Sequence, residues 1–374
     1  MSETGKEKKY IQEAFDTNWV VPLGPNVNGF EDDLKEFHGG DKPVVALSSG
    51  TAAVHLSLIA SGVKPGDEVL VQSFTFCASS NPIVYVGAKP VFIDSETDTW
   101  NMDPGLLEDA IKDRIRITGK KPAAIMLVYL YGMPAKIKQI KEIADKYDIP
   151  LIEDAAEGFG SIYNGKKVGT FGQYGILSFN GNKMITTSGG GALICPDEEA
   201  RQKVMWLATQ AREAYPYYQH EAIGFNYRMS NICAGIGRGQ MTIVDDHIRH
   251  HRHIAHLYQE AFKDIGGITY HSEAEGMESN YWLSTILLDP QLKVKGEEMA
   301  YAQATTKAVG GAAGVLHASK EAHTDCEPNK NVEAMRLALD KEDIESRPLW
   351  KPMHKQPVYR DATAYVNGTS EDIF

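Results

Sequence analysis

Three short stretches of the chain bring together residue types that an anionic, carbonyl-bearing ligand would need. The first, "ALSSGTAAVHL", places Ser48, Ser49, Gly50 and Thr51 between an apolar run and a helical pattern. Small residues at such a junction leave backbone N–H groups and the positive end of the helix dipole open to an anion such as phosphate. The second, "PLIEDAAEGFGS", ends an apolar run in Glu153 and Asp154, which sets a carboxylate beside small residues. The same Asp would also serve as a plain N-cap, and Glu157 reads as solvated or as support for the residues before it. The third, "SFNGNKMITTSGGGAL", carries Lys183 on a tight turn between the strand-like "YGILSFN" and a Gly-rich return. A lysine partly withdrawn from water gives up its proton more readily and becomes a nucleophile for carbonyl carbon.

Each stretch alone has an ordinary structural reading: a helix opening, an N-cap, a solvated charge. Together they supply a phosphate cradle, a carboxylate and an amine, which are the three requirements of pyridoxal 5'-phosphate. That cofactor needs an anion site, an acid partner that keeps its ring nitrogen protonated, and a lysine to carry its aldehyde.

The elements that must position these residues follow from the pattern around them. "PVVALSSG", "DEVLVQSFTF", "KPVFIDS", "AAIMLVYLYG" and "PLIEDAAE" are short apolar runs separated by helical stretches such as "TAAVHLSLIASG" and "IKQIKEIADKYD". Strands alternating with helices predict an α/β domain with a mostly parallel sheet covered on both faces. Ligands collect at the carboxyl ends of strands in such sheets, which is where all three stretches fall. Near residue 240 the pattern changes to a long charged helix, "MTIVDDHIRHHRHIAHLYQEAF", then to "NYWLSTILLD" and "NVEAMRLALDKEDI", as in a smaller α+β unit. The expected division is an N-terminal arm over 1–30, a large domain over 31–245 and a small C-terminal domain over 246–374.

Composition narrows the partners. A net charge of -12 in 374 residues excludes the basic balance that nucleic-acid binding requires. No run approaches the length of an apolar membrane span, and the polar start "MSETGKEKKY" is not a signal peptide, so a cytoplasmic location is expected. Cys77, Cys195, Cys233 and Cys326 lack the spacing of a metal or disulfide framework. His247, His250, His251, His253 and His256 spread around one helix without an HExxH pattern, so no metal is expected. "VGGAAGV" at 309–315 lacks the GxGxxG spacing of a dinucleotide loop.

The ordered set "SSGTAAVHL", "EDAAEGFGS", "SFNGNKMITTSGGG", "GFNYRMSN" and "SRPLWKPMHKQP" resembles the DegT/DnrJ/EryC1/StrS family of sugar aminotransferases. The resemblance runs from "VVPLGPNVNGFE" to the C-terminus. It implies the fold-type I, aspartate aminotransferase-like architecture, pyridoxal 5'-phosphate as cofactor, and a homodimer with active sites shared between subunits. By matching positions it assigns Lys183 to the cofactor aldehyde and Asp154 to the pyridinium nitrogen. Gly50, Thr51 and Ser178 fall at phosphate positions, Phe76 matches an aromatic that stacks on the ring, and Asn226 would reach the cofactor phosphate of the other subunit. Within the family, "SFNGNK" followed by "TTSGGG" is similar to the branch that aminates C4 of UDP-2-acetamido-2,6-dideoxy-hexos-4-ulose from L-glutamate. Perosamine-forming relatives tend to carry a glutamate in the Gly-rich return, which is absent here. A sugar 3-dehydratase is disfavoured because such relatives replace the lysine with histidine, and a non-catalytic regulator leaves the lysine and carboxylate without a purpose.

For the nucleotide sugar the resemblance points to Leu23, Gly24, Pro25 and Asn26 of "PLGPN" and to Arg347, Trp350 and His354 of the late motif. A charged fork and an aromatic plate suit a diphosphate and a uracil. Trp350 could equally anchor the small domain, and Arg228 could bind the donor carboxylate or form a structural pair. Three features depart from the family pattern. Tyr129 stands where many relatives have histidine, about thirty residues around "TTKAVGGAAGVLHASKEAHTDCEPNKN" look inserted, and the chain stops at "SEDIF" where relatives continue.

Overall fold

The computed structural model describes residues 4–297 and 329–374. The stretch 309–315, Cys326 and most of the apparent insertion lie outside the described residues. The chain forms two compact units. The first comprises residues 1–258, 272–285 and 350–373, and the second comprises 259–271, 286–349 and residue 374.

The first unit is built on strands β1 (Val44–Leu47), β2 (Glu68–Gln72), β3 (Lys89–Ile93), β4 (Ala124–Val128), β5 (Leu151–Asp154), β6 (Ile162–Tyr163), β7 (Lys166–Lys167), β8 (Tyr174–Ser178) and β9 (Gly191–Ile194). Strands β10 (Ile268–Tyr270) and β12 (Ile286–Leu288) pair antiparallel in the second unit, while β11 (Met277–Glu278) pairs with β6 in the first. Among the described residues the main sheet has eight strands in the order β1-β9-β8-β5-β4-β2-β3-β13, where β13 is Thr363–Tyr365. Only β9 runs against its neighbours, so the sheet is mostly parallel, as the alternation of strands and helices predicts.

Strands β1, β4, β5, β8 and β9 are buried along their whole length. Alternate residues therefore face different layers. Val45, Leu47, Val69, Val71, Met126, Ile152, Ile176 and Leu193 share one face and pack with Leu56 of the helix Gly50–Ala60 and Val204 and Leu207 of the helix Glu198–Ala208. Asp154 lies two residues beyond Ile152 and shares its face; Glu153 lies on the other.

Two boundaries differ from the expected division. Within the expected arm, the described residues 4–30 are packed on the large domain: the helices Lys6–Asp16 and Pro25–Phe37 both lie on the helix Asn231–Met241. The approach is close enough that a Cβ on Gly239 would lie 2.7 Å from Glu7 Cγ. Nor does the small domain run from 246 to the end, because β13 extends the main sheet in parallel register with β3 and so returns residues 350–373 to the first unit. The apolar alternation around Thr363 is too short to announce an edge strand. Within the second unit, Asn331 Oδ1 accepts from Val294 N at 2.9 Å and Arg336 pairs with Glu333 at 2.7 Å.

A buried charge cluster ties the first helices to the sheet. Glu31 Oε1 accepts from Ala46 N at 2.8 Å and from Arg228 Nη1 at 2.5 Å, and Arg201 Nη2 lies 3.7 Å from its other oxygen. Replacing Glu31 by Ala leaves the Arg228 guanidinium buried without its carboxylate. A loss of about 3–5 kcal/mol in urea unfolding is expected, and a loss under about 1 kcal/mol would show the cluster to be dispensable.

Candidate active site

The site forms where β1, β2, β5 and β8 end. Leu47 of β1 and Ser178 of β8 both lie across from Gly191, so the chain beyond β1 passes beside Ser178. A Cβ on Gly50 would meet Ser178 Cβ at 2.9 Å, and one on Gly191 would fall 2.4 Å from Gly50 N. Only residues without side chains allow this approach. Ser49 caps the helix Gly50–Ala60 by accepting from Ala52 N at 3.0 Å. The Gly50 and Thr51 amides belong to the first turn, where no helical carbonyl can accept from them, and the Ser178 hydroxyl stands next to them. This is a cradle suited to a phosphate.

Asp154, 5% exposed, ends β5. Its Oδ2 accepts from Ser79 Oγ at 2.6 Å and its Oδ1 from Ala156 N at 3.1 Å. Ser79 comes from the short 3-10 turn Cys77–Ser79 after β2. Burial pushes the Asp154 carboxyl above its ordinary range, and Ser79, Ala156 N–H and the charge of Lys183 pull the other way. A carboxylate so desolvated gains most from a cationic N–H partner, and a protonated pyridine nitrogen supplies one.

Lys183 follows a turn closed by its own N–H on Asn180 O at 3.0 Å. Its Nζ lies 3.7 Å from Glu157 Oε1 and 4.2 Å from the centre of the Trp282 ring. Glu157 is 4% exposed, so the reading of it as solvated is corrected. It turns inward because its Oε2 accepts from Tyr131 N at 2.7 Å. Burial raises the Glu157 carboxyl from 4.5 to about 7, against the opposing effects of Lys183 and the Tyr131 N–H.

Glu153, on the other face, accepts from Gly169 N at 2.8 Å and from the Tyr129 hydroxyl, both buried. Tyr129 is thereby a core residue. Tyr131 replaces it at the site, with a left-handed backbone at φ 55°. Its hydroxyl accepts from Trp350 N at 3.0 Å, and the Trp350 ring sits 5.0 Å from Tyr131 and 5.5 Å from Phe76. Phe76 is half exposed. Trp350 belongs to the first unit.

Other expected residues sit elsewhere. Asn26 is buried, donating to Tyr10 O at 3.1 Å from its side chain and to Asn231 Oδ1 at 2.9 Å from its backbone, so its role is structural. Gly24, with φ 136°, packs on the same Asn231, whereas Leu23 and Pro25 are exposed. Arg228, with a side chain 7% exposed, is held by Glu31 and Ala46 O, which favours the structural pair over a donor-carboxylate site. His354 is a further correction: Nδ1 lies 2.6 Å from Ser73 Oγ and Nε2 3.0 Å from Glu371, leaving no ring nitrogen for a substrate. Arg347 is exposed in the second unit, paired with Glu345 at 2.6 Å. Asn226 is exposed, and its neighbour Tyr227 accepts from Ser48 N at 2.8 Å through its carbonyl. Of the five histidines, His247 lies 3.2 Å from Met184 O and His251 3.1 Å from Tyr281 O.

The sequence profile of the DegT/DnrJ/EryC1/StrS aminotransferase family matches residues 1–314. The chain belongs to that family. EpsN of Bacillus subtilis (strain 168), named as a candidate pyridoxal phosphate-dependent aminotransferase, is 45% identical over 375 residues, covering 99% of this chain and 86% of that protein. A GDP-perosamine synthase of Vibrio cholerae is 34% identical, covering 95% and 84% of the two chains. The crystal structure of a DegT/DnrJ/EryC1/StrS aminotransferase from Brucella abortus superposes with a TM-score of 0.83 at 27% identity over 99% of this chain and 88% of that one. The chain is thus a sugar aminotransferase of the pyridoxal phosphate-dependent kind with the fold-type I architecture. Among the described residues no helix is long and apolar enough to cross a membrane.

Glu157 gives a pH dependence with a definite sign. The unfolded chain ionises it near 4.5 and the folded chain near 7, so the stability this group contributes is full below 4.5, falls as pH rises through the window and is gone above it. In cofactor-free protein, Glu157→Gln is expected to lose about 3 kcal/mol less unfolding free energy than wild type between about pH 4.5 and about pH 8. Parallel losses in the two proteins would show that Glu157 is not held neutral.

Proposed function

We propose that this chain transfers the amino group of L-glutamate to C4 of a nucleotide-linked keto sugar, UDP-2-acetamido-2,6-dideoxy-hexos-4-ulose, for glycan or exopolysaccharide synthesis. The observation that carries the reading is the convergence of the Gly50–Thr51–Ser178 cradle, the Asp154 carboxylate and the Lys183 amine at the ends of neighbouring strands. Pyridoxal 5'-phosphate, bound there, supplies an electron sink for the carbanion left when a proton leaves the donor's α-carbon.

The residues then divide the work. Gly50 and Thr51 amides and the Ser178 hydroxyl hold the phosphate. Asp154, fixed by Ser79, would accept a hydrogen bond from the protonated ring nitrogen and so keep the proton on the ring. Phe76 covers a ring face. In each half-reaction Lys183 Nζ would take a proton from one carbon and deliver it to another: it leaves the donor α-carbon for the cofactor's aldehyde carbon in the first, and leaves that carbon for the sugar carbon that gains nitrogen in the second. Glu157 keeps a negative charge or a neutral acid within reach of that amine as conditions require. Trp350, beside Phe76, offers an aromatic plate to the acceptor. Asn226 in this reading reaches the cofactor phosphate in a second copy of the chain, giving a homodimer with shared sites.

A second reading of the nucleotide has its own support. A GDP-perosamine synthase of Escherichia coli O157:H7 is 40% identical over 286 residues, against 34% over 289 residues for a UDP-2-acetamido-2-deoxy-3-oxo-D-glucuronate aminotransferase of Pseudomonas aeruginosa. A GDP-linked 4-keto sugar is therefore the alternative acceptor.

The test is a visible spectrum of the cofactor-loaded protein. L-glutamate should bleach the cofactor band and the UDP-linked 4-keto sugar restore it, with parallel double-reciprocal plots in steady state and no turnover in Lys183→Ala. Restoration by the GDP-linked sugar alone would transfer the reading to the alternative, and full activity in Lys183→Ala would overturn it.

A further inference from the structure

The segment Ser279–Asn280–Tyr281–Trp282 has no place in the reading above, yet it bonds to three of the loops that build the site. It belongs to the first unit. Ser279 Oγ donates to Gly132 O at 3.0 Å, beside Tyr131. Asn280 Nδ2 donates to Glu157 O at 2.7 Å and to Phe159 O at 3.0 Å. Asn280 Oδ1 accepts from Trp282 N at 2.8 Å, and Trp282 Nε1 donates to Asn182 O at 2.7 Å, on the turn that presents Lys183. The indole is 7% exposed, and its ring centre lies 4.2 Å from Lys183 Nζ.

Whenever the Lys183 amine is not covalently engaged it is a free amine in a nearly dry site, with its side chain 13% exposed. Asp154 acts on its charge through space, and two further groups lie beside the amine. Glu157 Oε1 is 3.7 Å away, beyond hydrogen-bond length, and the other carboxylate oxygen is occupied by Tyr131 N–H. The indole face is in the range of a strong cation–π contact. It also differs chemically from a carboxylate: it attracts the ammonium but cannot take its proton. An amine that must give and receive a proton at carbon in each half-reaction is better parked on such a face than on a base.

We infer that Trp282 is a positioning residue for Lys183, holding the free ammonium on its indole face and the lysine turn by its N–H to Asn182 O. The inference rests on the transaminase reading for its kinetic consequence but not for the contact itself. Trp282→Leu removes both the face and the N–H, whereas Trp282→Phe keeps a face.

The experiment has two arms. In cofactor-free protein, tryptophan emission is compared between wild type and Lys183→Met, and again in a Trp282→Phe background. The lysine replacement should change the emission in the first pair and leave the second unchanged, because the other four tryptophans (Trp19, Trp100, Trp206 and Trp350) are common to both. In loaded protein, Trp282→Leu should slow both half-reactions about 10-fold, the worth of a partly desolvated cation–π contact. Its KM values should stay within about 2-fold, and Trp282→Phe should recover most of the rate. An equal emission change in both backgrounds would overturn the contact. Half-reaction rates in Trp282→Leu within 2-fold of wild type, or no better in Trp282→Phe, would overturn the positioning role. The emission arm needs no substrate, so a wrong acceptor or reaction would show as absent turnover in wild type while that arm still decides the contact.

Discussion

Desolvation of carboxylates at the end of β5 is the constraint around which the first unit is arranged. Glu153, Asp154 and Glu157 are all nearly inaccessible to solvent. Carboxylates cannot be buried without compensation, and each meets a different solution. Glu153 is satisfied from the far face by backbone N–H groups and a tyrosine hydroxyl. Asp154 is held by a serine from the end of β2. Glu157 faces the lysine and one backbone N–H. Strand alternation is what separates the first two, and it sets Asp154 on the face of Ile152 and Glu153 on the opposite one.

The same constraint explains how distant parts of the chain are recruited. Satisfying Glu157 requires the strained turn at Tyr131, whose hydroxyl then receives Trp350 N–H. The return of the chain at 272–285 bonds to that turn, to the Glu157 loop and to the lysine turn. Residues far apart in sequence become one polar network because each buried acceptor demands a donor.

The parallel sheet, the cradle, Asp154 and Lys183 could be read from the sequence because each depends on a local signal: apolar runs, small residues after a strand, a lone lysine on a Gly-rich turn. The two readings of Glu157, solvated or supporting, could not be separated because nothing in "AAEGFG" reveals that a backbone N–H from another loop draws its side chain inward. Ser79, Tyr131 and Trp282 gave no signal at all, since their roles arise from contacts across long sequence separations. Asn26, Arg228 and His354 carried the right chemistry for a ligand, but burial committed that chemistry to Asn231, Glu31, Ser73 and Glu371. Polar residue type shows what a side chain can bind; only packing shows what it does bind. The edge strand β13 escaped notice for the parallel reason that three residues carry too little periodicity.

The account turns on Asp154 holding a proton on the cofactor ring. The most direct measurement is the nitrogen resonance of pyridoxal 5'-phosphate labelled with 15N in its ring and bound to the protein, in wild type and in Asp154→Asn. A protonated ring nitrogen in wild type that becomes unprotonated in the variant is the predicted result. A protonated nitrogen in both proteins, or an unprotonated one in wild type, would contradict it.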